Sequence, residues 1–205
     1  CYQLTFSLLQ LKAEGEYLCG HPEASDKLYS ELLQYCHKDL LKAEVYATRA
    51  IENSGRGLWH KAIEFGLQGL SSLGMPLLDP TDAAIDESEA RLIEEQALFD
   101  EQVKHTPIEK IEQLPEMNDP RKLIAIRILS TLTACAFLLG KLALMRLSVL
   151  RGLNLVLTKG KSDLAGSQLS WFSVLLVQNR EYTRGVAVAE QAISLLKYYP
   201  HAQEL

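Results

Sequence analysis

Basic residues are too few and too dispersed for the sequence to bind nucleic acid. The 205 residues hold 21 Lys and Arg against 26 Asp and Glu, a formal charge of -5. No basic stripe stands ready to displace counterions from a phosphate backbone. Cysteine is scarce too: Cys1, Cys19, Cys36 and Cys135 form no CxxC pair and no regular framework. They read as reduced thiols of a cytoplasmic protein, packed mostly as small apolar groups. Long uncharged apolar runs are missing. The most apolar stretch, Ile128 to Leu157, is interrupted by Lys141, Arg146 and Arg151, and its longest uncharged part, Ile128 to Gly140, is too short to cross a bilayer. No basic-then-apolar leader is visible, so no secretory signal is expected. An initiator Met is also missing, and Cys1 runs straight into a helical pattern, so an internal fragment of a larger protein is expected.

Catalytic signatures are equally sparse. Neither a glycine-rich loop, nor His-Arg-Asp, nor Asp-Phe-Gly occurs, so any kinase activity is expected to lie outside these residues. Gly160-Lys161-Ser162 imitates the end of a phosphate-binding loop, but Leu155 stands where that motif needs glycine, and Ser162 is better read as a helix N-cap. Cys19, His21, Cys36 and His37 invite a zinc assignment, yet Cys19 and Cys36 fall at opposite ends of a helix. At 1.5 Å per residue that places them roughly 25 Å apart. Glu94, Glu95, Asp100, Glu101 and His105 form an acid-rich set read as a solvated face rather than as acid–base machinery. No catalytic residue, cofactor or metal is therefore expected.

What the sequence has in quantity is apolar residues at three- and four-residue spacing, with no sustained alternation. Helices are expected at Gln3–Cys19, Glu23–Cys36 (Pro22 in its first turn), Leu40–Asn53 and Trp59–Leu73. Thr81 or Asp82 caps an acidic helix to about Lys104, whose apolar residues, including Ala90, Ile93, Ala97 and Leu98, are sparse, so that packing along one face only is expected. A short helix follows to Gln113, then a connector to Pro120. Arg121–Leu139, Leu142–Thr158, Ser162–Gln178 and Tyr182–Tyr198 complete roughly ten helices and no strand. Three regions are expected: hairpins over 1–74, the acidic helix and connector over 75–119, and further hairpins over 120–205, continuous as one solenoid.

Three segments share one local pattern: Gly20-His21-Pro22-Glu23-Ala24, Gly57-Leu58-Trp59-His60-Lys61-Ala62 and Asn179-Arg180-Glu181-Tyr182-Thr183-Arg184-Gly185. Small residues recur at Gly66 and Gly69 after Ala62, and at Ala189 and Ala192 after Gly185. They let a partner helix approach closely, and Trp59 and Tyr182 are expected to fill the turns. The first segment has one residue fewer between Gly20 and Ala24, which predicts a slightly irregular hairpin. A repeat of this kind signals stacked helix pairs.

Gly57 through Leu70 resembles the turn and second helix of the tetratricopeptide family. Tyr46 and Ala50 fall where that family prefers an aromatic and a small residue, while Arg49 and Asn53 depart from it. The resemblance implies an all-α, tetratricopeptide-like superhelix of antiparallel hairpins. Three further stretches extend the likeness: Ala13-Glu14-Gly15-Glu16-Tyr17-Leu18, Ala62-Ile63-Glu64-Phe65-Gly66-Leu67 with Gly74, and Ile108 to Pro120 ending Met117-Asn118-Asp119-Pro120. These are similar to the helical middle of large bacterial signalling kinases, over roughly Leu11 to Pro200. In such proteins that region follows a Ser/Thr-kinase domain and an AAA-type ATPase module and precedes GAF and histidine-kinase domains.

The function this implies is a non-catalytic interaction or relay module of a cytoplasmic signalling protein. Its partners would be neighbouring domains or a peptide, with neither nucleic acid nor membrane involved. The concave wall would be lined by first helices, with Glu44, Ala47, Thr48 and Ile51 on the second pair. It lacks the Lys and Asn that chaperone-binding relatives use to clamp a terminal carboxylate. The alternatives are a structural spacer or homodimer built on the apolar Ile128–Leu157 pair, and a helical metal-dependent hydrolase.

Overall fold

The computed structural model describes residues 2–78 and 85–199. Nine α-helices follow in order among them: α1 (Tyr2–Leu18), α2 (Pro22–Tyr35), α3 (Asp39–Gly55), α4 (Trp59–Ser72), α5 (Ile85–His105), α6 (Pro120–Leu138), α7 (Leu142–Lys159), α8 (Ala165–Gln178) and α9 (Tyr182–Tyr198). A short 3₁₀ helix, Ile108–Gln113, lies between α5 and α6. Among the described residues the only β-type pairing is one isolated parallel bridge, Glu116 with Lys161. The fold is all-α and built of helix hairpins, as the periodicity predicts. The expected cap at Thr81 or Asp82 lies outside the described residues.

Four antiparallel pairs form the stack: α1–α2, α3–α4, α6–α7 and α8–α9. Each turns on one residue in the left-handed region: Gly20 (φ 82°), Gly57 (73°), Gly140 (69°) and Arg180 (66°). In all four, the turn residue's N–H donates to the carbonyl three residues back, and the next N–H to the carbonyl five back, at 2.8–3.0 Å. This doubly bonded helix end satisfies carbonyls that would otherwise be orphaned. The second helix then begins two residues after the turn residue in every pair. The sequence pattern exposed three of these turns, and the fourth, at Gly140, joins them only in the structure.

Counting from the turn residue corrects the first repeat. Five residues on stand Ser25, Ala62, Met145 and Gly185, all buried, whereas Ala24 is exposed. Ser25 is therefore the matching small residue, and the first hairpin is regular. The aromatic at the turn also behaves unevenly: Trp59 packs partly into the core, but Tyr182 stands in solvent and fills nothing.

Each new first helix packs against the pair before it, α3 on α2, α6 on α3 and α4, and α8 on α7 and α6. The glycine notches serve this stacking. A Cβ on Gly66 would lie 2.8 Å from Leu132, and one on Gly69 would lie 2.8 Å from Ile128, both on α6. The close approach made possible by these two glycines is to the next pair, not only to the hairpin partner.

One core runs from α3 to α9, with the apolar stretch 128–157 at its centre. Ile128, Leu129, Leu132, Leu147, Leu153 and Val156 are all fully or nearly fully enclosed there. The dimer face expected on that stretch is thus corrected, because its apolar side chains point inward and only the hairpin tip (Phe137, Leu138, Leu142) is exposed. A second, smaller core joins α1 and α2 to Val45 of α3. Among the described residues no helix is long and apolar enough to cross a membrane.

Candidate functional site

The first helices α3, α6 and α8 lie side by side, and equal counting from their turns places matching residues in rows. Thirteen, nine and six residues before the turn stand Glu44, Thr48 and Ile51 on α3, Arg127, Thr131 and Ala134 on α6, and Ser167, Trp171 and Val174 on α8. That spacing of four and three keeps each row on one helix face. All nine are at least partly exposed, so a mixed face of small, polar and apolar side chains crosses three helices. Phe137 and Trp171 meet at its far end with ring centroids 5.3 Å apart.

Of the four residues singled out on α3, Glu44 and Thr48 are half-buried, Ile51 is exposed, and Ala47 is in the main core. Ala47 therefore lines no open surface, since its side of the helix is covered by the packing of the stack. The α6 and α8 rows are not legible from the second pair alone. Their signal was available in the same count from Gly140 and Arg180.

A second concavity, a groove of about 470 Å³, lies between α5, α7 and α8. Leu92, Leu150, Phe172 and Leu176 line its apolar floor, and Ile93, Asp100, Arg146 and Asn179 its rim. Arg146 donates to Asn179 Oδ1 at 3.1 Å.

The acid-rich helix is not uniformly solvated. Glu95 is 4% exposed, whereas Ile93 is 72% exposed. Arg151 Nε approaches Glu95 Oε1 to 2.6 Å, a close ionic contact lying off the hydrogen-bond axis. Asn154 Nδ2 donates to Glu95 Oε2 at 2.8 Å. The expected packing face of α5 is corrected accordingly: Leu92, Glu95, Phe99 and Val103 face the core, while Ala90, Ile93, Ala97 and Leu98 face out. Glu94, Asp100, Glu101 and His105 do lie on the exposed side, where Glu101 pairs with Lys104 and His105. Those two contacts lower the Glu101 carboxyl.

Gly160-Lys161-Ser162 also has a structural use. Lys161 is buried and donates from Nζ to the Glu112 carbonyl at 2.6 Å, under the Tyr198 ring and 3.8 Å from Glu116. Its backbone pairs with Pro115 and Met117 across the bridge. Ser162 is not the N-cap. Helix α8 starts at Ala165, with Ser162 Oγ accepting from the Leu164 N–H at 3.3 Å. The triplet fastens the connector before α6 to the α7–α8 turn.

Tyr29 donates to Glu52 Oε1 at 2.7 Å across the α2–α3 interface. Burial pushes the Glu52 carboxyl up to about 7, and burial with the neighbouring carboxylate raises the Tyr29 phenol. Cys36 and Cys135 are buried free thiols, Cys19 an exposed one. Among the described residues no three His, Cys, Asp or Glu side chains are grouped to hold a metal. What these geometries define is a stack of helix pairs with open side-chain faces. No family model, no curated protein and no solved structure matches the chain.

Proposed function

We propose that the chain is a non-catalytic protein-interaction or relay module, a tetratricopeptide-like array within a larger cytoplasmic signalling protein. The observation that carries this reading is the three-row face on α3, α6 and α8, built by one register repeated from turn to turn. Such a face suits an extended peptide or the edge of a neighbouring domain: Thr48, Thr131 and Ser167 supply adaptable hydrogen bonds, and Ile51, Trp171 and Val174 supply apolar anchors. Glu44 and Arg127 bring both charge signs to it, which favours a protein partner over a polyanion. Free thiols fit a reducing compartment.

Association of the chain with the domains adjoining it in the full-length protein tests this reading. Ile51→Glu combined with Val174→Glu is expected to weaken that association at least tenfold while circular dichroism stays unchanged. Unaltered association would remove this face from the account.

A further inference from the structure

The four hairpin turns share one backbone geometry but not one chemistry. At the α1–α2 turn His21 is tied to Glu16 at 3.0 Å, and Glu23 follows. At the α3–α4 turn Trp59 packs partly into the core and Arg56 reaches Asp26 at 3.6 Å. The α6–α7 turn instead leaves Phe137, Leu138 and Leu142 43%, 53% and 51% exposed, and the α8–α9 turn leaves Val177 and Tyr182 45% and 59% exposed. The turn itself requires none of these side chains. Two residues after the turn residue, where Leu142 and Tyr182 stand out, the first turn has Pro22 and the second turns Trp59 inward.

The two apolar turns adjoin. Phe137 meets Trp171 of α8 with ring centroids 5.3 Å apart. Arg146, one helical turn along α7 from Leu142, donates to Asn179 of the α8–α9 turn at 3.1 Å. The same two turns are the basic part of an acidic chain. Residues 137–146 and 177–184 hold Lys141, Arg146, Arg180 and Arg184 against one acid, Glu181, although the whole chain carries -5. Arg184 pairs with Glu181 at 3.1 Å. Among the described residues none of the other three cations is in an ion pair. Helices α3 and α4 pack on one side of the α6–α7 pair and α8 on the other, yet its turn stays open, because stacking covers the flanks of a hairpin and leaves its turn at the edge.

We infer that the α6–α7 and α8–α9 turns form an interfacial docking edge whose occupant is the surface of an anionic lipid bilayer. Phe137, Leu138 and Leu142 enter the boundary between headgroups and acyl chains, while Lys141, Arg146 and Arg180 lie against the lipid phosphates and carboxylates. A chain of net negative charge is repelled from such a surface unless a local patch opposes the total, and the three unpaired cations stand beside the exposed leucines. Apolar side chains that protrude at a tight turn suit a fluid that closes around them, whereas a protein partner would have to supply a fitted pocket. No spanning helix is needed, since the contact reaches only about 5–10 Å deep. Leu138 and Leu142 lie on none of the rows of the α3, α6 and α8 face, so this edge is a second surface.

Co-sedimentation of the purified chain with vesicles tests the inference, using phosphatidylcholine alone and phosphatidylcholine with about 30% phosphatidylserine, whose surface potential draws in cations. The chain is expected to sediment with the mixed vesicles and about tenfold less with the neutral ones. It should be released as salt rises from about 0.1 M to about 1 M and the Debye length falls from about 10 Å to about 3 Å. Lys141→Ala combined with Arg180→Gly removes two cations, each worth about fivefold, and is expected to weaken binding about 25-fold. Leu138→Ser combined with Leu142→Ser keeps the cations and is expected to weaken it about tenfold. All four positions are exposed, so circular dichroism and urea midpoints that stay at or above wild type separate lost docking from lost folding. A chain that leaves the mixed vesicles unbound overturns the inference and hands the edge to a protein partner. Equal binding to neutral vesicles overturns it too, as does mixed-vesicle binding that either pair of substitutions leaves unchanged. Ile51→Glu is expected to leave vesicle binding intact, and the leucine pair to leave association with the adjoining domains intact, so the two surfaces stand or fall separately.

Discussion

At the scale of single residues, the four hairpin turns set a direct comparison. Three use glycine for a left-handed conformation, and the fourth holds Arg180 there at φ 66°. An L side chain in that region costs roughly 1–2 kcal/mol, partly offset because glycine gives the unfolded chain more freedom to lose. Arg180→Gly is therefore expected to stabilise the protein by about 0.5–1 kcal/mol, and Gly57→Ala to destabilise it by about 1 kcal/mol, read as shifts in urea midpoint. Glu52 makes a second residue-scale prediction, this time in pH. Its folded carboxyl is raised to about 7 from an ordinary 4.5, chiefly by burial. A raised carboxyl favours folding fully below pH 4.5, and that advantage drains away as pH rises towards 7. At about 1.4 kcal/mol per unit, the loss is on the order of 3 kcal/mol. Glu52→Gln keeps an acceptor for Tyr29 and has nothing to titrate. Its stability relative to wild type is expected to be greater at pH 8 than at pH 5, and a constant difference between the two would show that Glu52 ionises normally.

At the scale of elements, helix starts and stops were legible wherever the chemistry is local. Asp119-Pro120 caps α6, with Asp119 Oδ1 accepting from the Arg121 N–H at 2.9 Å, and the glycine turns end α1, α3 and α6. Helix α8 was placed three residues early because Ser162 looks like a cap, yet the segment before Ala165 is held by Lys161 pairing to residues some 45 positions back, which no local rule reveals. Helix α5 packs on a face other than its most apolar-looking one for a related reason. Ala90, Ile93 and Ala97 make as good an apolar stripe as Leu92, Phe99 and Val103 once Glu95 is assumed to want water. The available clue is on another helix: Arg151 interrupts the most apolar stretch of the chain, where a carboxylate packed beside it can pair with it. Removing one member of a buried ion pair leaves the other uncompensated, at about 3–5 kcal/mol. Arg151 is 31% exposed, so Arg151→Ala is expected to fall below that range, about 2–3 kcal/mol, with protease cleavage of α5 before the rest. The double variant Glu95→Leu/Arg151→Met is expected to recover most of that loss. If it proves as unstable as Arg151→Ala, the pair does more than fasten α5.

At the scale of the whole molecule, the two cores are of very different size. The larger is continuous from α3 to α9, so those helices should open together. The smaller holds α1 and α2 through Phe6, Ala13, Tyr29, Leu32 and Cys36 against Val45. In a stack of pairs, stability is close to a sum of each pair and its interfaces, so the pair that rests on the smaller core is the easier to open. The joint between α2 and α3 is also unusually polar: Tyr29 bonds Glu52, while Asp26 meets Arg49 at 3.2 Å and Arg56 at 3.6 Å. Amides of α1 and α2 are therefore expected to exchange through a local opening that costs less than global unfolding. Because Glu52 lies in that joint, the opening should become easier between pH 5 and pH 8 after correction for intrinsic exchange rates, while protection of α6 and α7 changes little. Hydrogen exchange measured by mass spectrometry across low urea concentrations would read both effects. A single opening free energy shared by α1 through α9 would mean that the two cores act as one, and that α1 and α2 are held by more than the contacts described.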